Sequence, residues 1–526
     1  MKTLAILTNG GDTCALNASI RSIRDNAYDA GWKKIYGIRR GYQGLVDGWI
    51  EDITHKEIDP RIGGSCLGSL RVSPTKKSPV SDSKQPTAGK EDTPYGIDNQ
   101  RCKEMATFLS DYKIDVLVVI GGDGTLQATK MFQGWVQQHL ASREFRPFEI
   151  MGFLKTIDND IRTYTHFEGV EVSLCPGFPS AVKKIASCTE DLRVTARTAE
   201  RAFSIETMGR DAGWLAAATT FGGAEILLVP ELTKIWPSLI EKPILYALVE
   251  SIADFYAKNR NVLIAVAEGF EPAQDFKGLK AFNDVIHELY GTRKKVGATE
   301  LVSLLVSPVL EYYFQALSNL ISYADREHKI DPATKKRKNS SADQRIDRVV
   351  NETKKSGSGI KYAERVTNSE GHPLKDWDVK ERLKAVLEAK NGKTLAGPPY
   401  QFEIRPHRTD YLPRSGPPSS YDYRLATVLG EKIGLMLVRN EFGAVPALAQ
   451  VVPYDELTLK VIKTVQIQEI MTLNFGSKDY FDNEFPFQVS KRITDFFRTI
   501  LSGPEDLEEA ISDYTAKNKK AAKAGR

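Results

Sequence analysis

The stretch GFLKTIDNDI, residues 152–161, gathers Lys155, Asp158 and Asp160 behind an apolar approach. Carboxylates this close repel each other and lose hydration, which costs free energy unless chemistry or pairing offsets it. A base for a sugar hydroxyl needs a carboxylate within hydrogen-bond reach, and Asp158 fits that role. Asp160 would hold the surroundings of that hydroxyl or reach a magnesium ion through water. Lys155 would neutralise transferred phosphate charge and limit the repulsion between the acids. An Asx-rich turn with N-capping acids has the same composition.

Two glycine turns could face this stretch. In LAILTNGGDT, Gly10 and Gly11 let the backbone turn tightly and approach a ligand, since no Cβ intervenes. The helix that follows would offer unpaired N–H groups and a positive dipole end to an anion. In VLVVIGGDGT, Asp123 sits inside a second such turn, where an acid makes sense if magnesium lies between it and phosphates. An ordinary β–α turn and an acid capping a helix are the plainer readings of these two motifs. Neither matches the nicotinamide fingerprint or the Walker A loop.

Placing these motifs requires strands that end at them. TLAILT (3–8), KIYGI, VLVVI (116–120), FEIMGFL, AFSIETM, EILLVPE and VLIAVAEGF (262–270) read as strands alternating with helix-like blocks. That alternation predicts a mainly parallel α/β sheet, in which ligands sit beyond the carboxyl ends of strands. The segment 73–94 reads as a polar loop, and 325–359, with its KKRK, as a solvated linker or exposed helix. The run 301–324 is apolar but interrupted by Pro308 and Glu311, so a buried helical pair is expected there rather than a membrane span. The tail AKNKKAAKAGR reads as frayed.

Bulk properties narrow the class. A chain of 526 residues predicts two or three domains. Its 72 basic and 68 acidic residues leave a formal charge of +4, so no field steers the whole chain to nucleic acid or membrane. Five scattered cysteines without a CxxC pair suggest neither a disulfide framework nor a zinc site, and point to a reducing, cytoplasmic compartment. The opening MKTLAILTNGGD is too short in its apolar run for a signal peptide.

TNGGDT, GGDGT, KTIDND, ETMGRDAGWLA and YLPRSGPPSSYDYRLA stand in the order seen in phosphofructokinases. The chain resembles that family from residue 1 to about 270 and again from about 400 to 450. GGDGT also occurs in NAD kinases and lipid kinases, but those give no reason for TIDND or the MGR segment. The resemblance implies two Rossmann-like, mainly parallel α/β domains with a helical and charged insertion. Expected bounds are 1–165 for a donor-binding domain, 166–275 with 400–460 for a sugar-phosphate domain, 276–399 for the insertion and 461–526 for a helical tail.

It also implies roles. Gly11, Arg71, Gly122, Asp123, Gly124 and Thr125 resemble the phosphoryl-donor site, with Asp123 close to Mg²⁺. Thr156, Asp158 and Asp160 resemble the sugar-phosphate end, with Asp158 as proton acceptor and Lys155 and Arg210 spreading the transferred charge. Met208, Gly209 and Arg210 resemble the segment touching sugar and phosphoryl, Glu268 the acid on sugar hydroxyls, and Arg405, Tyr411 and Arg414 the 6-phosphate holders. Equivalents of Arg201 and Arg405 reach a neighbouring subunit's site in family members, which implies a homo-oligomer, a dimer or tetramer. The activity implied is 6-phosphofructokinase, forming fructose 1,6-bisphosphate from ATP and fructose 6-phosphate in glycolysis, with no nucleic acid or membrane partner. A pyrophosphate-dependent enzyme and a non-catalytic regulatory subunit are the alternatives.

Donor choice turns on two positions. ATP users generally have glycine at Gly124, where pyrophosphate users have Asp; pyrophosphate users have lysine at Lys155, where many ATP users have glycine. Steric exclusion of a nucleotide α-phosphate is the stronger effect, which favours ATP. Cys14 and Ala15 replace a usual Pro-Gly, and Leu154 replaces a common Pro or small residue. Arg21 resembles an effector-site position of short bacterial members, in a different neighbourhood.

Overall fold

The computed structural model describes residues 2–77, 95–142, 144–163, 170–232, 242–270, 342–356, 402–452, 461–466, 470–472, 487–489 and 491–502, with short pieces between 298 and 317. The chain divides into two compact units. The first comprises Met1–Lys184, Tyr411–Asn474 and Lys491–Arg526, and the second Ile185–Asp410 and Phe475–Ser490.

In chain order the first unit opens with β1 (Thr3–Thr8), α1 (Leu16–Asp29), β2 (Lys34–Ile38), α2 (Tyr42–Asp47) and β3 (Ile50–Asp52). A short hairpin, β4 (Thr75–Lys77) and β5 (Tyr95–Ile97), precedes α3 (Asn99–Asp111), β6 (Val116–Gly121), α4 (Asp123–His139) and β7 (Glu149–Leu154). These form a sheet in the order β3-β2-β1-β6-β7, parallel except at its β3 edge. All residues of β1 and β6 are buried, as a strand covered on both faces requires. Asp98 caps α3 by accepting a bond from the Arg101 N–H, and Met105 and Leu109 of that helix pack with Leu117, Val119 and Phe132.

Next come β8 (Ile161–Thr163), β9 (Val170–Leu174) and α5 (Phe178–Thr198), within which the unit division falls. The second unit holds β10 (Ala202–Thr207), α6 (Trp214–Ala218), β11 (Ile226–Leu228), α7 (Lys242–Asn259), β12 (Val262–Ala267), α8 (Ala342–Ser356) and β13 (Ile404–Arg408). Its sheet, β11-β12-β10-β13, is parallel throughout. The chain then returns to the first unit with α9 (Ser420–Arg439), β14 (Ala444–Val452), β15 (Val461–Gln466), β16 (Ile470–Thr472) and α10 (Lys491–Ser502).

A third sheet, β15-β14-β9-β8-β16, is antiparallel and was not anticipated from the sequence pattern. Beneath it Leu154, Ile161, Cys175, Val445 and Ala447 form one buried cluster with Leu126 of α4. Leu154, a departure from the family pattern, is thus a core residue at the end of β7.

In the charged segment 325–359, expected as a solvated linker or exposed helix, the described residues 342–356 are helical, but one face of that helix is buried. This is α8, whose Ile346, Val349, Val350 and Thr353 are buried at helical spacing. Four such side chains are diluted by surrounding charge when composition alone is read. In the apolar run 301–324, the described Val302, Val306, Leu310, Phe314 and Leu317 are also buried at helical spacing. Residues 78–94, the KKRK and the tail after Ser502 lie outside the described residues. Among the described residues, no helix is long and apolar enough to cross a membrane.

Candidate active site

Three strand ends of the first unit carry candidate site residues. β1 runs out at Thr8 into Asn9 and Gly10, whose φ of +94° suits glycine. A Cβ on Gly10 would lie 3.2 Å from the Thr125 Oγ1, which accepts a 3.2 Å bond from the Asn9 side-chain amide. The first and second glycine turns are therefore tied together. Leu70 accepts a 3.0 Å bond from the Gly10 N–H and the Ser69 hydroxyl donates to the Gly10 carbonyl at 2.8 Å, which brings the segment bearing Arg71 alongside.

β6 ends at Gly121, and α4 begins at Asp123 with Gly122 as its N-cap. Asp123 accepts a 3.0 Å bond from Gln127 one helical turn on. Gly124 is exposed, and a Cβ built there would meet nothing within 4 Å. The protein itself leaves that space open, so any exclusion of a larger residue must come from a ligand.

Lys155 follows β7, and its N–H donates to the Gly121 carbonyl at 2.9 Å. Its side chain is only 3% exposed and donates to the Gly11 carbonyl. Burial, helped by Arg414 and Arg71 and opposed by Asp12 and Asp158, pushes its ammonium down to about 8. Arg414 donates a 3.0 Å bond to the Asp12 carbonyl, and a Cβ on Gly11 would sit 2.6 Å from the Arg414 Nη1 and 3.6 Å from the Arg71 Nη2. Three cations thus crowd one glycine turn, and a side chain at Gly11 would require the Arg414 guanidinium to move.

Across from them lies the acid loop. The Thr156 hydroxyl donates to Asp160 at 3.1 Å and accepts from the Asp158 N–H at 3.0 Å. Burial, then the charges of Asp158 and Asp123, push the Asp160 carboxyl up to about 7. All three acids therefore act on one locality. Between them Asn159 is fully buried with φ +49°, a conformation asparagine tolerates, and its Oδ1 accepts a 3.3 Å bond from the Cys175 N–H.

In the second unit, Met208, Gly209 and Arg210 follow the carboxyl end of β10, and Glu268 follows that of β12. Gly209 has φ +125°, and a Cβ on Gly269 would fall 1.8 Å from the Arg210 carbonyl oxygen, so the two loops meet backbone to backbone. Arg210 pairs with Asp211 at 3.2 Å on the exposed surface. Arg405 lies elsewhere. In the β10–β13 register it stands opposite Phe203, and Arg201 precedes β10, so both lie at the amino end of the sheet. At ~3.3 Å per residue, Arg405 is about 17 Å and Arg201 about 23 Å along the strands from Met208 and Glu268. Tyr411, in the first unit, is 72% exposed.

Magnesium can be tested against these side chains. Among the described residues, no three His, Cys, Asp or Glu are spaced to cage a metal. Hard carboxylate oxygens at Asp123, Asp158 and Asp160 suit an ion held by one acid, water and phosphate oxygens, the usual arrangement for magnesium. Arg21 borders a different cavity of about 540 Å³ whose lining also includes Arg24, Asp25, Tyr28 and His55. Both guanidiniums there are engaged by Asp25.

Sequence reading missed Asn159, Gly177, Gly269 and Asp422 as parts of the site's support. Asp422 lies in the quoted SSYDYRLA, yet an acid as the third residue of a helix looks like any first-turn acid. Ala15, in place of a usual glycine, has φ −95°, so this turn demands no left-handed residue there.

A family model described as "Phosphofructokinase" matches residues 3–304. The ATP-dependent 6-phosphofructokinase of Spirochaeta thermophila is 34% identical over 237 residues, covering 44% of this chain and 56% of that protein. The pyrophosphate–fructose 6-phosphate 1-phosphotransferase of Dictyoglomus thermophilum is 32% identical over 272 residues, covering 51% of this chain and 64% of that protein. The chain therefore spans less than two-thirds of either relative. Among solved structures, the pyrophosphate-dependent phosphofructokinase of Nitrosospira multiformis superposes with a TM-score of 0.57 at 15% identity, over 95% of this chain and 92% of that one, a likeness of fold.

Proposed function

The chain belongs to the phosphofructokinase family, and from that premise we propose that it transfers the terminal phosphoryl group of ATP to the 1-hydroxyl of fructose 6-phosphate. The observation that carries this reading is the crowding of Arg71, Lys155 and Arg414 on the Gly10–Asp12 turn, in the same unit as Asp123, Asp158 and Asp160. Such an arrangement holds polyphosphate on one side and a hydroxyl on the other.

Asp158 takes the hydroxyl proton as the sugar oxygen bonds to phosphorus and the bond to the leaving ADP breaks. Lys155, Arg71 and Arg210 spread the developing negative charge, and the Asp123 carboxylate would hold a magnesium ion, which would supply neutralisation of phosphate charge. Thr156 and Asp160 orient the acceptor. The first unit serves the donor and the second the sugar, through Met208, Gly209 and Glu268. Arg201, Arg405 and the exposed Tyr411 serve the 6-phosphate end, whereas Arg414, expected with them, stands against the Gly11–Asp12 turn beside Arg71 and Lys155. Arg405 stands about 17 Å and Arg201 about 23 Å along the strands from Glu268, and this separation favours their acting in a neighbouring subunit of a homo-oligomer. The five free cysteines fit a cytoplasmic, reducing setting.

Open space at Gly124 favours ATP. Pyrophosphate is the second reading, favoured by the buried Lys155, which can contact a phosphate of either donor. Coupled assays of the purified chain with fructose 6-phosphate decide between them. We expect turnover with ATP. Turnover with pyrophosphate alone overturns the donor, and binding without turnover under both donors makes the chain a regulatory subunit.

A further inference from the structure

A buried carboxylate far along the chain supports the acid loop. Asp422, in the first turn of α9, is completely buried. Its Oδ1 accepts a 2.7 Å bond from the Gly177 N–H, and its Oδ2 accepts from the Ser180 N–H at 3.4 Å and from the Ser180 hydroxyl. The same hydroxyl accepts a 2.9 Å bond from the Ser419 N–H, so the start of α9 and the start of α5 are laced together.

Gly177 is where this lacing reaches the chemistry. It forms an isolated parallel bridge with Thr156, the residue whose hydroxyl contacts both Asp158 and Asp160. Its φ of +107° is left-handed, and a Cβ there would come within 2.7 Å of the Thr13 side chain. Two residues earlier, the Cys175 N–H donates to Asn159. The turn from Cys175 to Gly177 therefore touches the acid loop at both ends, at Thr156 and at Asn159. Burial raises the Asp422 carboxyl to about 6, opposed by the bonds from Ser180 and Gly177, so it is mainly ionised at neutral pH. Bonds to an ionised acceptor are roughly twice as strong as neutral ones.

We infer that Asp422 is a positioning residue for phosphoryl transfer: through Gly177 it fixes the backbone of Thr156 and so aims the Asp158 carboxylate at the acceptor hydroxyl. The inference rests on the kinase reading above. Nothing in it requires Asp422 to touch a substrate. A loop loosened by an ångström forfeits on the order of a hundredfold in rate when the reacting atoms must align.

The test compares Asp422→Ala and Asp422→Asn in the full chain, below the melting temperature and per folded molecule. We expect D422A to lower kcat about tenfold or more while the donor KM stays within about twofold, the signature of a lost transition-state alignment. D422N keeps an oxygen for the Gly177 N–H and recovers part of that loss. Should D422A fail to fold, D422N alone decides, with kcat down about threefold or more. Amide hydrogen exchange supplies an activity-free arm: residues 156–160 exchange faster in either variant while β1 and β6 are unchanged. A wild-type kcat in the folded variants, even with a lowered Tm, overturns the inference, as does unchanged exchange at 156–160. If the unsubstituted chain turns over neither donor, the kinase reading fails together with the catalytic half of the inference. The exchange arm then still decides whether Asp422 holds the loop.

Discussion

At the residue scale, charge and burial pull against each other around the acid loop. Asp158→Asn keeps the size of the side chain but removes the proton acceptor, and kcat should fall on the order of a hundredfold or more with the fold intact. Steady-state kinetics alongside circular dichroism check this. Asp160 gives a stability prediction with a definite sign. Its folded carboxyl is raised from 3.8 to about 7, so the folded chain holds a proton that the unfolded chain has lost. Its stabilising contribution is full below pH 3.8 and drains away as pH rises through 7. Asp160→Asn stays neutral at every pH. The variant should therefore match the wild type near pH 4 and exceed it by pH 8, by no more than roughly 4 kcal/mol. Melting curves at both pH values read the difference; an advantage greatest at low pH would contradict the sign.

At the scale of elements, the site hangs on how α1 meets α9. Their contact is lined by small residues: Ala15, Ala18 and Ala426 cluster, and the Ser22 hydroxyl donates to the Thr427 carbonyl at 2.8 Å. A Cβ on Gly430 would lie 2.2 Å from the Ser22 Oγ, and one on Gly434 would lie 2.9 Å from the Asn26 Cβ. α1 follows the Gly10–Asp12 turn and α9 carries Asp422, so this pairing sets two supports of the site at once. Gly430→Leu should cost about 1–3 kcal/mol by overpacking and lower kcat as well. Denaturant melts and kinetics on the same samples test both. The buried parallel strands were legible as continuous apolar runs, TLAILT and VLVVI matching β1 and β6 almost to the residue, whereas the parallel edge strand β13 (IRPHR) is mostly exposed and shows no such run. The antiparallel sheet was not. β8 and β16 are three residues long, too short to show a period, and β9 and β14 pair only after 269 intervening residues of chain have been traversed. Asn159 and Gly177 were illegible for a related reason, since their roles depend on partners distant in the sequence.

For the whole molecule, Arg405 is the informative side chain. It is exposed, pairs with Glu403 at 3.1 Å, and stands at the amino end of its sheet, away from Glu268. If it completes a neighbour's site, Arg405→Ala should raise the KM for fructose 6-phosphate about tenfold or more and leave the KM for the donor alone. Sedimentation of the wild type should show a dimer or larger assembly; a monomer that binds sugar phosphate normally would contradict this. The glycine turns, the acid loop and the late Arg-Ser-Gly segment were readable as an ordered set, whereas which end of a sheet each residue occupies needed the strand register. Lys155 reaches beyond catalysis. Its ammonium is buried among Arg414, Arg71, Asp12 and Asp158, and an incoming phosphate would add counter-charge that favours its protonated form. A chain without ligand should consequently be digested by a broad-specificity protease faster than one incubated with ATP, and in Lys155→Met this protection should shrink.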